Sequence, residues 1–198
     1  MTTWDATDPG NQRMDDQRDD RMQALVEGFG RPVHRALDVG CGRGTMLGAL
    51  GLSGVGVDLG ILRLRLAPTP VAQADATRLP FPDRCFDVVV ASNVFSSIPA
   101  DTVRRTAATE TLRVLRRRGV ILWYDQRWPN PGNRSTRPVP RRELAALFPG
   151  TDIEVAPITV LPVLARAFPR RYDGLHRIGA LRSHLIGTIR PRGPAEPR

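Results

Sequence analysis

Residues 36–46 read ALDVGCGRGTM, a short apolar run with one acid in it, followed by glycines at alternate positions, Gly40, Gly42 and Gly44. Glycines spaced so closely after a buried-strand pattern describe a loop whose backbone approaches a ligand where any Cβ would obstruct it. The amides of the helix that follows then turn inward. Such a loop belongs at the carboxyl end of a strand in a doubly wound sheet, near the point where strand order reverses.

The rest of the chain fits that frame. RALDVG, GVGVD, VAQAD, CFDVVVAS and GVILWYD read as short strands closed by Gly, Asp or Pro, with a short helix in GTMLGAL. Residues 101–116 read as a helix with Val103, Ala107, Leu112 and Leu115 on one side. After Pro140 come a helix in RRELAALF, a strand in DIEVAPITV, an amphipathic stretch over 161–181 and a closing strand in SHLIGTIR. Uninterrupted Val/Ile/Leu strands alternating with helices predict an α/β, doubly wound, Rossmann-like sheet covered on both faces. It is expected to be mostly parallel with an antiparallel C-terminal strand, in a single domain over 1–198, with 1–12 and 191–198 disordered.

At 198 residues and 41% hydrophobic content the chain can bury a core but has little room for a second domain. The acidic start lacks a signal-peptide pattern, and no stretch reaches the roughly 18 apolar residues of a membrane span, so a cytoplasmic chain is expected. Cys41 and Cys85 form no CxxC or Cys/His cluster; two reduced thiols and no metal are expected. The net charge of +9 comes from 29 arginines with no lysine, which reads as a compositional bias more than as a phosphate-binding surface. The run Arg116, Arg117, Arg118 is expected to cap a helix before Gly119. Nucleic acid is disfavoured as a partner, while the arginine excess after Arg104 keeps anionic acceptors open.

The glycine spacing is not the dinucleotide G-x-G-x-x-G, since Thr45 stands where that pattern wants its third small residue. Asp38 beside the loop would repel a pyrophosphate and attract an ammonium or sulfonium, which points to a cationic adenosyl compound. Asp58, ending GVGVD, is placed to accept hydrogen bonds from ribose hydroxyls. Asp75, closing VAQAD, is placed for the adenine amino edge, with Leu79 and Phe81 along the ring. Each acid alone reads as readily as a helix cap; three at successive strand ends form a constellation.

With LDVGCGRG, GVDL, ADATRLPFPDRCFDVVVAS and RVLRRRGVILWYD in order over residues 34–126, the chain resembles the class I S-adenosylmethionine-dependent methyltransferases of the small type 11 group. The resemblance implies S-adenosyl-L-methionine as cofactor and S-adenosyl-L-homocysteine as product. It implies that Asp38, Gly40, Cys41, Gly42 and Gly44 cradle the methionyl part, and that Asp58 with Leu59 holds the ribose. Asp75 with Ala76 would hold the adenine, and Ser92 with Asn93 would face the sulfonium. A looser similarity of WYDQRWPNPGNRSTRPVPRREL and LRSHLIGTIRP joins the chain to a bacterial subgroup of sugar and natural-product pathways.

The chain departs from that pattern in a first half trimmed to near-minimal crossovers, with 61–66 ambiguous between helix and edge strand. Arg118-Gly119 also replaces the usual Pro-Gly before the fifth strand. Methyl transfer from a sulfonium needs alignment and, for a hydroxyl, a base. Asp125 is the candidate base or orienter and Arg127 the candidate anion holder, each balanced by the alternative of a surface ion pair. Trp123 and Phe95 read as core, while Ser96 and Ser97 read as helix caps or ligand contacts. His176 and His184 could be bases, but lone histidines in an ambiguous helix or strand read more readily as structural or solvated, and His34 reads as incidental. The reading is transfer to a small molecule, a hydroxyl of a sugar, nucleoside or secondary metabolite. The alternatives are an RNA methyltransferase and a cofactor-binding cyclase-like or scaffold protein. The basic stretch 161–185 reads as a lid, with peripheral membrane contact as a variation; oligomeric state is left open.

Overall fold

The computed structural model describes residues 5–130, 133 and 135–192. Its strands are β1 (Ala36–Val39), β2 (Gly54–Asp58), β3 (Val71–Gln73), β4 (Phe86–Ser92), β5 (Leu115–Gln126), β6 (Thr151–Val160) and β7 (Arg182–Pro191). Its helices are α1 (Pro9–Glu27), α2 (Met46–Ala49), α3 (Ile61–Leu64), α4 (Asp101–Val114), α5 (Arg141–Leu147), α6 (Pro162–Ala167) and α7 (Tyr172–His176). The strands form one sheet in the order β3-β2-β1-β4-β5-β7-β6. β1 to β5 are parallel, and β7 runs antiparallel between β5 and β6. The order reverses between β1 and β4, so the carboxyl ends of β1, β2 and β4 open on one crevice.

Both faces of the central strands are covered, which is why β4 and β5 are nearly continuous apolar runs. Leu37, Val89, Ile121 and Trp123 pack under α4 and α5; Ala36, Val90, Leu122 and Tyr124 pack under α1 and α2. Alternation along β5 therefore sends Trp123 and Asp125 to one face and Tyr124 and Gln126 to the other. A smaller cluster of Met14, Val160, Ala165 and Tyr172 fixes α6 over α1. The fully buried Arg104 joins α4 to α5, with Nη1 on Glu143 Oε1 at 2.5 Å and Nη2 on the Ile98 carbonyl at 2.7 Å.

Three expectations are corrected. Residues 5–12 and 191–192 are ordered: Asp8 accepts the Gly10 and Asn11 N–H groups at 2.9 and 3.0 Å, Pro9 opens α1, Pro191 closes β7 opposite Thr151, and Arg192 Nε donates to Asp152 at 2.9 Å. Residues 1–4 and 193–198 lie outside the described residues. The second correction is that α4 ends at Val114, not at residue 116, because β5 already begins at Leu115. Phe86 faces Leu115 while Val88 faces Val120, so the arginine run bulges from the strand. Arg116 pairs with Asp87 at 2.5 Å and caps no helix.

Of the ambiguous residues 61–66, Ile61–Leu64 form the single turn α3, and α2 is equally short, so both crossovers are trimmed. The amphipathic stretch 161–181 is a series of short pieces. Pro169 and the glycines Gly174 and Gly179 divide it into α6, a 3-10 turn Pro169–Arg171, α7 and a 3-10 turn Gly179–Leu181.

Candidate functional site

The loop after β1 holds Gly40, Gly42 and Gly44 at φ 67°, 55° and 68°, a left-handed backbone that side chains resist. A Cβ on Gly40 would sit 2.6 Å from Val94 Cγ2, whereas one on Gly42 meets nothing within 4 Å, so the loop is open on that side. Gly44 is gripped from behind, its carbonyl accepting the Thr69 hydroxyl at 2.7 Å. The Cys41 N–H donates to the Val57 carbonyl at 2.9 Å. Its thiol lies over Gly56, where an added Cβ would come within 2.6 Å of Sγ. Burial, with Asp38 and Asp58 nearby, pushes that thiol up to about 12, so Cys41 is an inert packing group.

The three acids sit in different environments. Asp58 accepts the Gly42 N–H at 3.0 Å, the Gly60 N–H at 2.7 Å and Arg63 Nη2 at 3.0 Å. A carboxylate offers about four lone-pair positions, so one remains, and a second is freed when the exposed Arg63 swings away. Asp38 is only 2% exposed, and no N–H or O–H among the described residues donates to it. Burial lifts it to about 7, with Arg18 opposing and Asp58 reinforcing the rise. Asp75 is exposed and held low by hydrogen bonds from Thr77, its N–H at 2.8 Å among them.

Gly40, Asp58, Leu59, Asp75, Ala76 and Asn93 share a cavity of about 310 Å³. Its apolar wall is Val57, Ala74, Val94, Ile98 and the half-exposed Val103. Leu79 and Phe81 do not line it. Leu79 is a core residue and Phe81 packs edge-on to Phe86 with centroids 5.0 Å apart, because the segment turns back under α4 after Ala76. Ser92 does not line the cavity either, since it still pairs with Tyr124 inside the sheet. An apolar slot beside a carboxylate with free acceptor positions fits an adenine ring and a ribose diol, while Asp38 lies buried outside the lining of this cavity.

A second cavity, of about 320 Å³, adjoins the first and is lined by Arg18, Asn93, Ser97, Tyr124, Gln126 and His184, among others. Asn93 and Ser97 line both, so they form the shared wall. Asn93 stands at φ 55° with its N–H on the Tyr124 carbonyl at 2.7 Å, a strained backbone held in place at the junction.

Both predicted acceptor-side residues lie elsewhere. Asp125 is fully buried on the face opposite Tyr124 and accepts the Ser96 N–H at 3.0 Å. Burial raises it to about 6, against the pull of Ser96 and the Gln126 N–H. It anchors the turn Phe95–Ser97 and does not reach the second cavity. Arg127 Nε and Nη2 donate to the carbonyls of Arg182 and Gly179 at 2.8 and 3.0 Å, and its guanidinium lies 4.9 Å over the Trp128 ring. Ser96 and Ser97 cap no helix; the Ser97 hydroxyl donates to the Asn93 carbonyl at 2.9 Å.

The candidate base that the sequence ranks low, His184, lies at the second cavity. Its ring stacks on Tyr124 at 4.7 Å and lines the second cavity. Nδ1 lies 2.9 Å from Thr159 Oγ1 and 2.8 Å from Ser183 Oγ. Those hydroxyls donate to backbone carbonyls, Thr159 to Ile158 at 2.8 Å and Ser183 to Thr159 at 3.3 Å. They are left to accept from Nδ1–H, which makes Nε2 the acceptor nitrogen. Burial lowers the group to about 3, so the ring is neutral. Its only sequence signal is a polar residue inside the apolar run of SHLIGTIR. Among the described residues no group of three His, Cys, Asp or Glu side chains could hold a metal.

The sheet order, with the glycine loop tied to the acid ending β2, defines a doubly wound α/β protein whose crevice opens at the carboxyl ends of β1, β2 and β4. Residues 37–123, just under half of the chain, match the methyltransferase domain family. Solved structures of the same fold include a S-adenosylmethionine-dependent methyltransferase from Clostridium acetobutylicum, 11% identical over 91% of this chain and 92% of that one, with TM-score 0.66. YcgJ from Bacillus subtilis is 19% identical over 88% of this chain and 100% of that one, with TM-score 0.63. The cyclase SpnF is 18% identical over 88% of this chain and 82% of that one, with TM-score 0.65. No curated protein matches the chain. Residues 37–123 thus resemble a methyltransferase domain, set in the fold shared with solved S-adenosylmethionine-dependent methyltransferases.

Proposed function

We propose that the protein transfers a methyl group from S-adenosylmethionine to a hydroxyl of a small-molecule acceptor, such as a sugar, nucleoside or secondary metabolite. The observation that carries this reading is the wall of Asn93 and Ser97 shared by two cavities, one suited to an adenosyl group and the other open beside it. The cofactor supplies a methyl on a sulfonium that departs as a neutral thioether.

Asp58 holds the ribose, the Gly40–Gly44 loop cradles the methionyl part, and Asp38 balances the cation. Asp75 and Ala76 lie at the adenine side, Asn93 at the reacting end. As the new O–C bond forms, the acceptor oxygen turns strongly acidic, so even a weakly basic imidazole takes its proton. His184 Nε2, with Nδ1–H held by Thr159 and Ser183, is the group we assign to that step.

RNA is the poorer acceptor because the second cavity is walled by few cations: of Arg18 and Arg166, the two arginines lining it among the described residues, Arg18 is already set against Asp15 and Asp19. The cyclase-like reading keeps a specific support, since a protein described as a cyclase has the same fold. Labelled methyl transfer to a pool of small metabolites separates the two. Label in a small molecule supports transfer, and tight cofactor binding without label in any acceptor supports the cyclase-like reading.

A further inference from the structure

We infer that the acceptor carries a carboxylate held by Arg166 and a ring-sized apolar part held by Trp128; this rests on the methyl-transfer reading above. Arg166 lines the second cavity and also a third chamber of about 250 Å³ that shares Gln126, Asn130, Pro162 and His184 with it. The rest of the third chamber is walled by the apolar Trp128, Pro129, Leu161 and Val163, with Ser183 as its one further polar side chain among the described residues. A dry cavity of roughly 150 Å³ already accepts benzene, so this one takes a ring or a short branched chain.

The charge at the junction is uncompensated. Arg18, the other arginine at the second cavity, is balanced by Asp15 at 2.8 Å and Asp19 at 2.7 Å. Arg166 has no hydrogen bond or ion pair among the described residues, and the only acid lining either chamber is Asp15, already set against Arg18. His184 is neutral. The walls therefore carry one excess positive charge beside an apolar surface. One planar guanidinium matches one planar carboxylate in a bidentate pair. A phosphate monoester, at nearly two negative charges, would leave one unbalanced.

The position of Arg166 is built in. A Cβ on Gly10 of α1 would lie 2.3 Å from the Ala165 carbonyl, so α1 and α6 touch backbone to backbone one residue before the arginine. Trp128 is 47% exposed yet held, since Arg127 lies over its ring and is itself tied to the Gly179 and Arg182 carbonyls. An exposed indole fixed at the mouth of an apolar chamber is a recognition surface for a flat group. With the carboxylate on Arg166 and the ring against Trp128, a hydroxyl elsewhere on the molecule can extend into the second cavity toward His184 and Asn93.

The test uses the whole chain saturated with S-adenosylhomocysteine and three probes of one shape: 3-phenylpropanoate, 3-phenylpropanol and 3-phenylpropylamine. Calorimetry should find the carboxylate about tenfold tighter than the alcohol, with the amine weakest. Arg166→Gln should bring the carboxylate to the level of the alcohol and leave the affinity for S-adenosylhomocysteine unchanged, which also shows that the variant is folded. Trp128→Ala should weaken carboxylate and alcohol equally. Equal binding of alcohol and carboxylate, undiminished carboxylate binding by Arg166→Gln, or no probe binding to the loaded protein overturns the inference. Failure of S-adenosylhomocysteine itself to bind overturns instead the methyl-transfer reading beneath it.

Discussion

The Gly42 N–H donates to Asp58 Oδ2 at 3.0 Å, so the loop and the acid to which we assign the methionyl part and the ribose of the cofactor are tied directly to each other. Removing the carboxylate has two consequences, the loss of a charged acceptor and the release of the loop. Asp58→Ala should weaken S-adenosylmethionine and S-adenosylhomocysteine alike by about 1.5–3 kcal/mol, roughly 10- to 150-fold. Calorimetry on both ligands checks it, and unchanged affinity would remove Asp58 from the site.

Asp38 predicts a pH dependence. Its folded value of about 7 lies above the ordinary carboxyl value of 3.8, so the ligand-free fold binds this proton more tightly than the unfolded chain does. The contribution of Asp38 to stability is therefore fully present only below pH 3.8 and is lost as pH rises through about 7. Asp38→Asn should raise the ligand-free Tm at pH 7.5, by about 2–4 °C for each kcal/mol regained. A cationic ligand favours the ionised carboxylate, so binding at pH 6 should release a proton, and affinity should climb with pH up to about 7. Titrations in buffers of different ionisation enthalpy measure that proton; none released would contradict the pairing of Asp38 with the cation.

Gly40 and Gly42 should respond differently to substitution. Gly42→Val meets open space and faces only the left-handed backbone, a strain of about 1–2 kcal/mol, so the fold should persist while cofactor binding is lost. Gly40→Ala adds a collision with Val94 and should lower stability further. Circular dichroism and calorimetry on both variants decide it, and full cofactor affinity in Gly42→Val would mean that the ligand does not fill that space.

His184 and Asp125 are distinguishable by kinetics. His184→Gln should lower kcat by about 10²–10⁴-fold with cofactor affinity intact, as expected for loss of a proton acceptor. Because His184 is held at about 3, turnover should show no inflection near pH 6.5 from this group. Asp125→Asn should instead act through the turn it anchors, lowering stability and moving Asn93 and Ser97 together.

Much of the cofactor side was legible because it is backbone chemistry written in local sequence. A strand, a glycine loop and an acid at each strand end are contiguous patterns, and the sheet preserves them. The acceptor side was not legible, because it is made by distant segments meeting. Asp125 and His184 show why: both are polar residues in apolar strands, and only the alternation of faces across β5 and β7 decides that one lies under α5 and the other on the cavity. Leu79 and Phe81 are apolar near an adenine-binding acid, yet the turn after Ala76 carries them into the core. The helix α1 was missed because its acid-rich surface hides two widely spaced buried residues, Met14 and Met22, behind the Asp8–Pro9 start.

The most direct test of the account is to incubate the protein with methyl-labelled S-adenosylmethionine and separate pools of small hydroxy acids and RNA, following label in each. The account predicts label in the small-molecule pool, reduced by His184→Gln and by Arg166→Gln, and none in RNA. Label in RNA, or tight cofactor binding with no label in either pool, would contradict it.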